Sequence, residues 1–260
     1  MPRNTYPETI TYFGQLIRSR LSMKSDFKIE RKAMRTLSFD EPDNFYLSPE
    51  QQELHALKYS EELHNFVTSA GSIVIDNQYN FILTCEQNPR LIVSESMHHS
   101  AMANGKKVLA SGSLIFKDGY LIKMTNHSGH YCPKDDEMLD VIKALHTASN
   151  GTLYEYYSYC TPEPLLYSVK ELIHADRFEQ LTPIATDEII HPETGKREKC
   201  GYDFKMGNGA LGSRNRFGAG LKPERISVFE HIIKSRFTLF ESTEQPSSSS
   251  ESSVQQPFKA

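Results

Sequence analysis

The 260-residue sequence has few cysteines, no excess of basic residues and no long apolar run. Four cysteines lie far apart, without a CxxC pair or a ligand-spaced Cys/His cluster, so we expect neither a disulfide framework nor a metal site. The net charge of -4 argues against a protein that mainly binds nucleic acid. No run approaches the roughly 20 apolar residues that span a bilayer, and the N-terminus lacks a signal-peptide core. The sequence therefore predicts a soluble protein without a transmembrane segment.

Composition divides the sequence into three parts. Residues 1–47 predict a basic helical segment, because residues 8–37 combine a helical apolar pattern with many Lys and Arg side chains. This segment is either a solvated helix that covers the core or a surface for a calmodulin-like partner or an anionic membrane. Residues 48–241 predict an α+β domain. Residues 242–260 are almost free of aliphatic side chains, which predicts a disordered tail.

The predicted fold class is α+β, with an antiparallel β-meander and hairpin sheet flanked by helices and followed by the disordered tail. A Ser48-Pro49 cap predicts a helix that ends at Gly71, and the Asp118-Gly119 turn predicts a hairpin over residues 106–126. Period-two apolar patterns and turn residues predict further strands. These strands cover 72–77, 79–85, 90–95 and 152–160, and further helices are predicted from Pro133 to Asn150 and over 162–175.

A polar cluster, Ser128-Gly129-His130-Tyr131, lies where the hairpin ends and the helix after Pro133 begins. The amides of a helix N-terminus attract anions, so a phosphate could bind there with His130 facing it. In the simpler interpretation, Ser128 caps a turn and His130 satisfies a buried carbonyl. The residues predicted to bind substrate or phosphate are Lys106, Gly129, Tyr131, Arg214 and Arg216.

A second cluster, His98-His99-Ser100, precedes the same hairpin, so both clusters are expected to open at one end of the sheet. An imidazole can act as a general base and a hydroxyl as a nucleophile or anchor. The predicted catalytic residues are therefore His130, Ser100, His99 and Ser128, with Asp135, Asp136 or Glu137 available to orient an imidazole. Alternatives are a His-His metal pair, a Cys132 thiolate, and a glycine loop whose Arg214 and Arg216 close over an acidic ligand.

The block from His98 to Pro133 resembles a domain of plant IQ-motif calmodulin-binding proteins and of bacterial toxin-like or effector proteins. The pattern consists of His-Ser, a Gly-Lys step, an Asp-Gly hairpin and Ser-Gly-His-Tyr-x-Pro. The sequence has no evident IQ motif. The positions that match are His99, Ser100, Gly105, Lys106, Gly112, Ser128, Gly129, His130, Tyr131 and Pro133.

Two hypotheses about function follow. The first is an effector-like enzyme that transfers or removes a phosphate-containing group on a host protein, with a nucleotide as the candidate cofactor or donor. It is supported by the Ser/Glu-rich tail, which resembles a translocation signal for type IV secretion into a host cell; otherwise the protein is expected in the cytoplasm. The second is a non-catalytic module that binds a peptide or a calmodulin-like partner through residues 17–37.

Overall fold

The computed structural model describes residues 6–185, 188–191 and 195–199. The predicted tail, together with Arg214 and Arg216, lies outside these described residues. The described strands are β1 (Thr11–Tyr12), β2 (Gln15–Leu16), β3 (Ala56–Ser60), β4 (Asn65–Val67), β5 (Gln78–Thr84), β6 (Leu91–Ser94), β7 (Val108–Lys117), β8 (Tyr120–Thr125), β9 (Glu155–Ser158), β10 (Leu165–Ser168), β11 (Glu188–Ile190) and β12 (Arg197–Lys199). The described α-helices are α1 (Lys28–Thr36), α2 (Pro49–Leu54), α3 (His99–Met102), α4 (Asp135–Ala148) and α5 (Val169–Leu172).

Among the described residues, eight strands form one mixed sheet in the order β10-β9-β8-β7-β5-β6-β3-β4. Its neighbouring strands pair antiparallel except β8 and β9, which are parallel because α4 crosses over between them. The β7–β8 hairpin turns at Asp118 and Gly119, which both have positive φ, as a two-residue primed turn requires. The α+β fold class and the hairpin are therefore confirmed.

The sheet has a core on each face because successive side chains of a strand point to opposite sides. Phe81 and Leu114 pack in one cluster with Met138 and Ile142 of α4. Ile82, the neighbour of Phe81, packs in a second cluster that includes residues of α3. The helices α3 and α4 therefore cover opposite faces of the sheet, and the loops that precede α3 and α4 meet at one end of it.

The N-terminal helix is much shorter than the sequence predicts. Instead of a helix over 8–37, β1 and β2 form a hairpin around Phe13 and Gly14, and an extended segment follows in which Leu21 bridges Val108. Ile17, Leu21 and Met23 of this segment are buried in the core. Only the 3-10 turn at Ser25–Phe27 and α1 are helical, because backbone pairing with the body overrides the apolar periodicity.

Three other local predictions are wrong in part. The helix starting at Pro49 has the predicted Ser48 cap but ends at Leu54, since the residues that follow form β3, which pairs with β6. The predicted helix over 162–175 begins as β10, which pairs with β9, and only α5 is helical. The predicted strand over 72–77 contributes one bridge, between Val67 and Ile73. In each case tertiary pairing outweighs local propensity.

Candidate functional site

The two polar clusters predicted from the sequence lie together. His99 and Ser100 begin α3, and Ser128 and His130 lie in the loop after β8; all four are buried. The ring centroids of exposed His98 and buried His130 are 5.6 Å apart. The sheet brings the clusters together because the strands before and after α3, β6 and β7, both pair with β5, and β8 pairs with β7.

His130 forms a buried pair with Glu30 of α1, which the sequence did not identify. The Nε2 of His130 lies 3.2 Å from Oε2 of Glu30, and the hydroxyl of Tyr46 donates to Oε1 over 3.2 Å. The ring of Phe27 covers the His130 ring at 4.2 Å between centroids. Burial alone raises the pKa of Glu30, but His130 and the hydroxyls of Ser100 and Tyr46 outweigh this effect and lower the pKa overall. Glu30 is therefore a carboxylate that orients the imidazole.

His99 has a structural hydrogen bond rather than a partner for proton transfer. Its Nε2 donates to the carbonyl oxygen of Gly112 over 2.8 Å. Gly112 is the residue of β7 next to Ser113, which forms the last β7–β8 pair with Thr125. Burial is the main cause that lowers the pKa of His99 to about 3, and neighbouring imidazoles add to it. At position 112 a Cβ atom would collide with the backbone of Thr125, so glycine is required. Because its pKa lies so far below 7, the His99 imidazole binds a proton too weakly to be an effective general base at pH 7.

The other predicted residues of the loop have mixed surroundings. Tyr131 donates its hydroxyl to the carbonyl of Lys106 over 2.7 Å, and burial raises its pKa. Gly129 is exposed, and a Cβ atom there would meet nothing within 4 Å. The thiol of exposed Cys132 lies 3.3 Å from the carbonyl of Gly129. Among the described residues, the buried hydroxyl of Ser128 has no hydrogen-bond partner.

The N-terminus of α4 is occupied by its own acidic side chains. Glu137 accepts a 2.7 Å hydrogen bond from the amide of Lys134, and Asp136 accepts one from the amide of Phe178. Asp135 accepts from the hydroxyls of Tyr156 and Ser158, both over 2.7 Å. Three carboxylates already compensate the positive end of the helix dipole, which does not favour the predicted phosphate there.

The outer face of α1 is strongly basic. Its basic side chains are Lys28, Arg31, Lys32 and Arg35, spaced three and four residues apart on adjoining parts of the helix surface. Its acidic residue, Glu30, is also the only buried residue of the helix. The Nη2 of Arg35 donates to the carbonyl of Gly105 over 2.9 Å. The helix thus presents positive charge to solvent and its carboxylate to the site.

Comparison with known proteins identifies one region of the chain. Residues 66–138 match the family model of the IQ motif-containing protein middle domain. This region includes the hairpin, both polar clusters and the start of α4, so that part of the chain is similar to this domain. The match supports the resemblance to IQ-motif proteins, whereas the resemblance to bacterial effectors finds no support. No curated protein and no solved structure matches the chain.

The described residues contain no helix long and apolar enough to cross a membrane. Within that same part of the chain, no three His, Cys, Asp or Glu side chains come together as a set of metal ligands. Sequence reasoning missed Glu30 and Tyr46, which lie in the region predicted to be a basic helix. The signal that could have found Glu30 is its position as an isolated acid within a basic helix.

Proposed function

We propose that this protein is a non-catalytic binding module that captures a calmodulin-like, acidic partner through α1. The observation that carries the proposal is the distribution of charge on this helix. Three of the four basic side chains, Lys28, Lys32 and Arg35, are exposed, and Arg31 is partly buried. The buried carboxylate of Glu30 pairs with His130 instead. A basic amphipathic helix is the kind of ligand that such partners bind. The match to an IQ motif-containing protein domain supports the same class of partner, although α1 precedes the matched residues.

The alternative, an enzyme that acts on a phosphate-containing group, has less support from the site. The partner of His130 is a carboxylate, which repels a phosphate, and Phe27 covers the imidazole ring. Secretion into a host cell stays a prediction, since the tail on which it depends lies outside the described residues.

The test is titration of the full chain with calmodulin, with Ca²⁺ and with a chelator. The double variant Lys28→Glu/Lys32→Glu reverses two exposed charges on α1 without touching Glu30. We expect it to weaken binding about tenfold or more, because each reversed pair at an interface costs on the order of 1 kcal/mol. Binding of the wild type should also weaken as the salt concentration rises.

The matched control is Lys58→Glu/Lys117→Glu, which reverses two exposed lysines on strands β3 and β7. It changes the net charge by the same amount but leaves α1 intact. Deletion of residues 17–37 is unsuitable as a test, because it would remove Ile17, Leu21 and Met23 from the core. An equal loss of affinity in both double variants, or no binding by the wild type, would contradict the proposal.

A further inference from the structure

Three apolar side chains of α1 and its flanks lie on the side of the helix that faces the body, whereas Ile29 is exposed. Met34 and Leu37 follow Phe27 by seven and ten residues and share the helix face of Glu30. All three are partly buried, and Phe27 packs against the core cluster that contains Ile82. A partner that binds an amphipathic helix in a groove takes such apolar anchors into the groove. These anchors are therefore covered while α1 lies on the body.

The hydrogen bonds that hold α1 itself on the body are few. Its only buried residue, Glu30, contacts His130 and Tyr46, and Arg35 adds a hydrogen bond to Gly105. A nine-residue helix is marginal by itself, and a buried ion pair contributes little net stability because of its desolvation cost. Segments held in this way open at a smaller free-energy cost than the core.

The segment that contains α1 is anchored at both ends. On one side the amide of Lys24 donates to the carbonyl of His130 over 2.9 Å, and on the other the amide of Leu47 donates to Ala101 over 3.1 Å. Residues 25–44, which lie between these two anchors, contain no strand of the sheet. We call residues 25–44 the strap.

We propose that the strap closes over His130 through the Glu30–His130–Tyr46 contacts, and that a calmodulin-like partner must release it in order to bind its apolar anchors. This inference depends on the function proposed above. Closure and capture then compete, so every contact that holds Glu30 on the body lowers the affinity for the partner. Release also uncovers the buried His130, whose ring packs against Phe27 of the strap.

The variant Tyr46→Phe tests the competition without changing the strap's charge or its apolar anchors. It removes the hydrogen bond to Glu30 and keeps the ring, which is buried. We expect calmodulin to bind this variant up to about tenfold more tightly, because the fraction of released strap rises. The matched control is Tyr79→Phe, which removes a hydroxyl contact to the carbonyl of Ile75 on another part of the molecule and should leave the affinity unchanged.

The second readout is acylation of histidines by diethyl pyrocarbonate, measured by mass spectrometry on the full chain. His98 is exposed and serves as the internal reference, whereas His130 is 7% exposed. We expect saturating calmodulin to raise the modification of His130 several-fold relative to His98, and Tyr46→Phe to raise it without a partner.

Each negative result has a distinct meaning. If calmodulin binds but His130 becomes no more reactive, or if Tyr46→Phe binds no more tightly than the wild type, the strap inference is overturned while the proposed function stands. If calmodulin does not bind at all, the proposed function fails and release by this partner fails with it. In that case the partner-free reactivity of His130 in Tyr46→Phe still shows whether these contacts close the strap.

Discussion

The energetic coupling between Glu30 and His130 can be measured with a double-mutant cycle. The variants are Glu30→Gln, His130→Gln and their combination, and the assay is urea unfolding at pH 7. The Nε2 of His130 and the Oε2 of Glu30 lie 3.2 Å apart, and these two side chains are only 8% and 4% exposed, so solvent screens the pair weakly. A hydrogen bond to a charged carboxylate contributes roughly 1.5–3 kcal/mol. We therefore expect a coupling free energy of about 2 kcal/mol.

A surface pair provides the comparison for this cycle. Arg18 and Asp140 lie 3.5 Å apart, but the arginine side chain is 76% exposed, so their coupling should be no more than about 0.5 kcal/mol. The pKa of Glu30 in the folded state lies below 4.5, so the stabilisation is present above about pH 4.5 and is lost as the pH falls below it. A buried pair that couples no more strongly than the surface pair at pH 7 would refute the reasoning.

Two further predictions concern the same end of the sheet. Gly112→Ala should lower the free energy of unfolding by about 3 kcal/mol or prevent folding, because the new Cβ atom collides with the backbone of Thr125. The control variant Gly129→Ala should change the free energy of unfolding by less than about 0.5 kcal/mol. Thermal unfolding in which Gly129→Ala is the less stable variant would contradict this prediction. The wild-type protein should lose stability as the pH falls from 6.5 to about 3, because the pKa of His99 is depressed in the folded state and only the unfolded chain binds the proton in that range. His99→Gln should lose less stability over the same range. An equal decline in the free energy of unfolding of both proteins would contradict this prediction.

Local chemistry made several elements predictable from the sequence. The Asp118-Gly119 turn, the Ser48 capping box and the acidic first turn of α4 each depend on residues within a few positions of one another. The helix predicted from Pro133 to Asn150 is observed as α4, with bounds shifted by only two residues at each end. By contrast, residues 56–60 follow a helical apolar pattern, yet Ala56 and Leu57 pair with β6, more than 30 residues away, and the rest of the strand pairs with β4.

The candidate site was predictable only in part. The sequence pointed to His99, Ser100, Ser128 and His130, and these residues lie together because the motifs flank neighbouring strands. The carboxylate that orients His130 was expected among the acids of α4, which follow it closely in the chain. Glu30 takes that position from 100 residues away, and the acids of α4 instead cap their own helix and bind Tyr156, Ser158 and the amide of Phe178.

The sequence by itself determined the fold class, the β7–β8 hairpin, the limits of α4 and the basic charge of residues 28–35. These features depend on periodicity, turn chemistry and side-chain charge, all of which act over a few residues. The tertiary structure decided that the acid within this basic helix is buried on His130, and that the helix covers the His/Ser loops. Such a contact arises because a buried imidazole and a buried carboxylate each need a partner, and only the folded backbone determines which partner lies within reach.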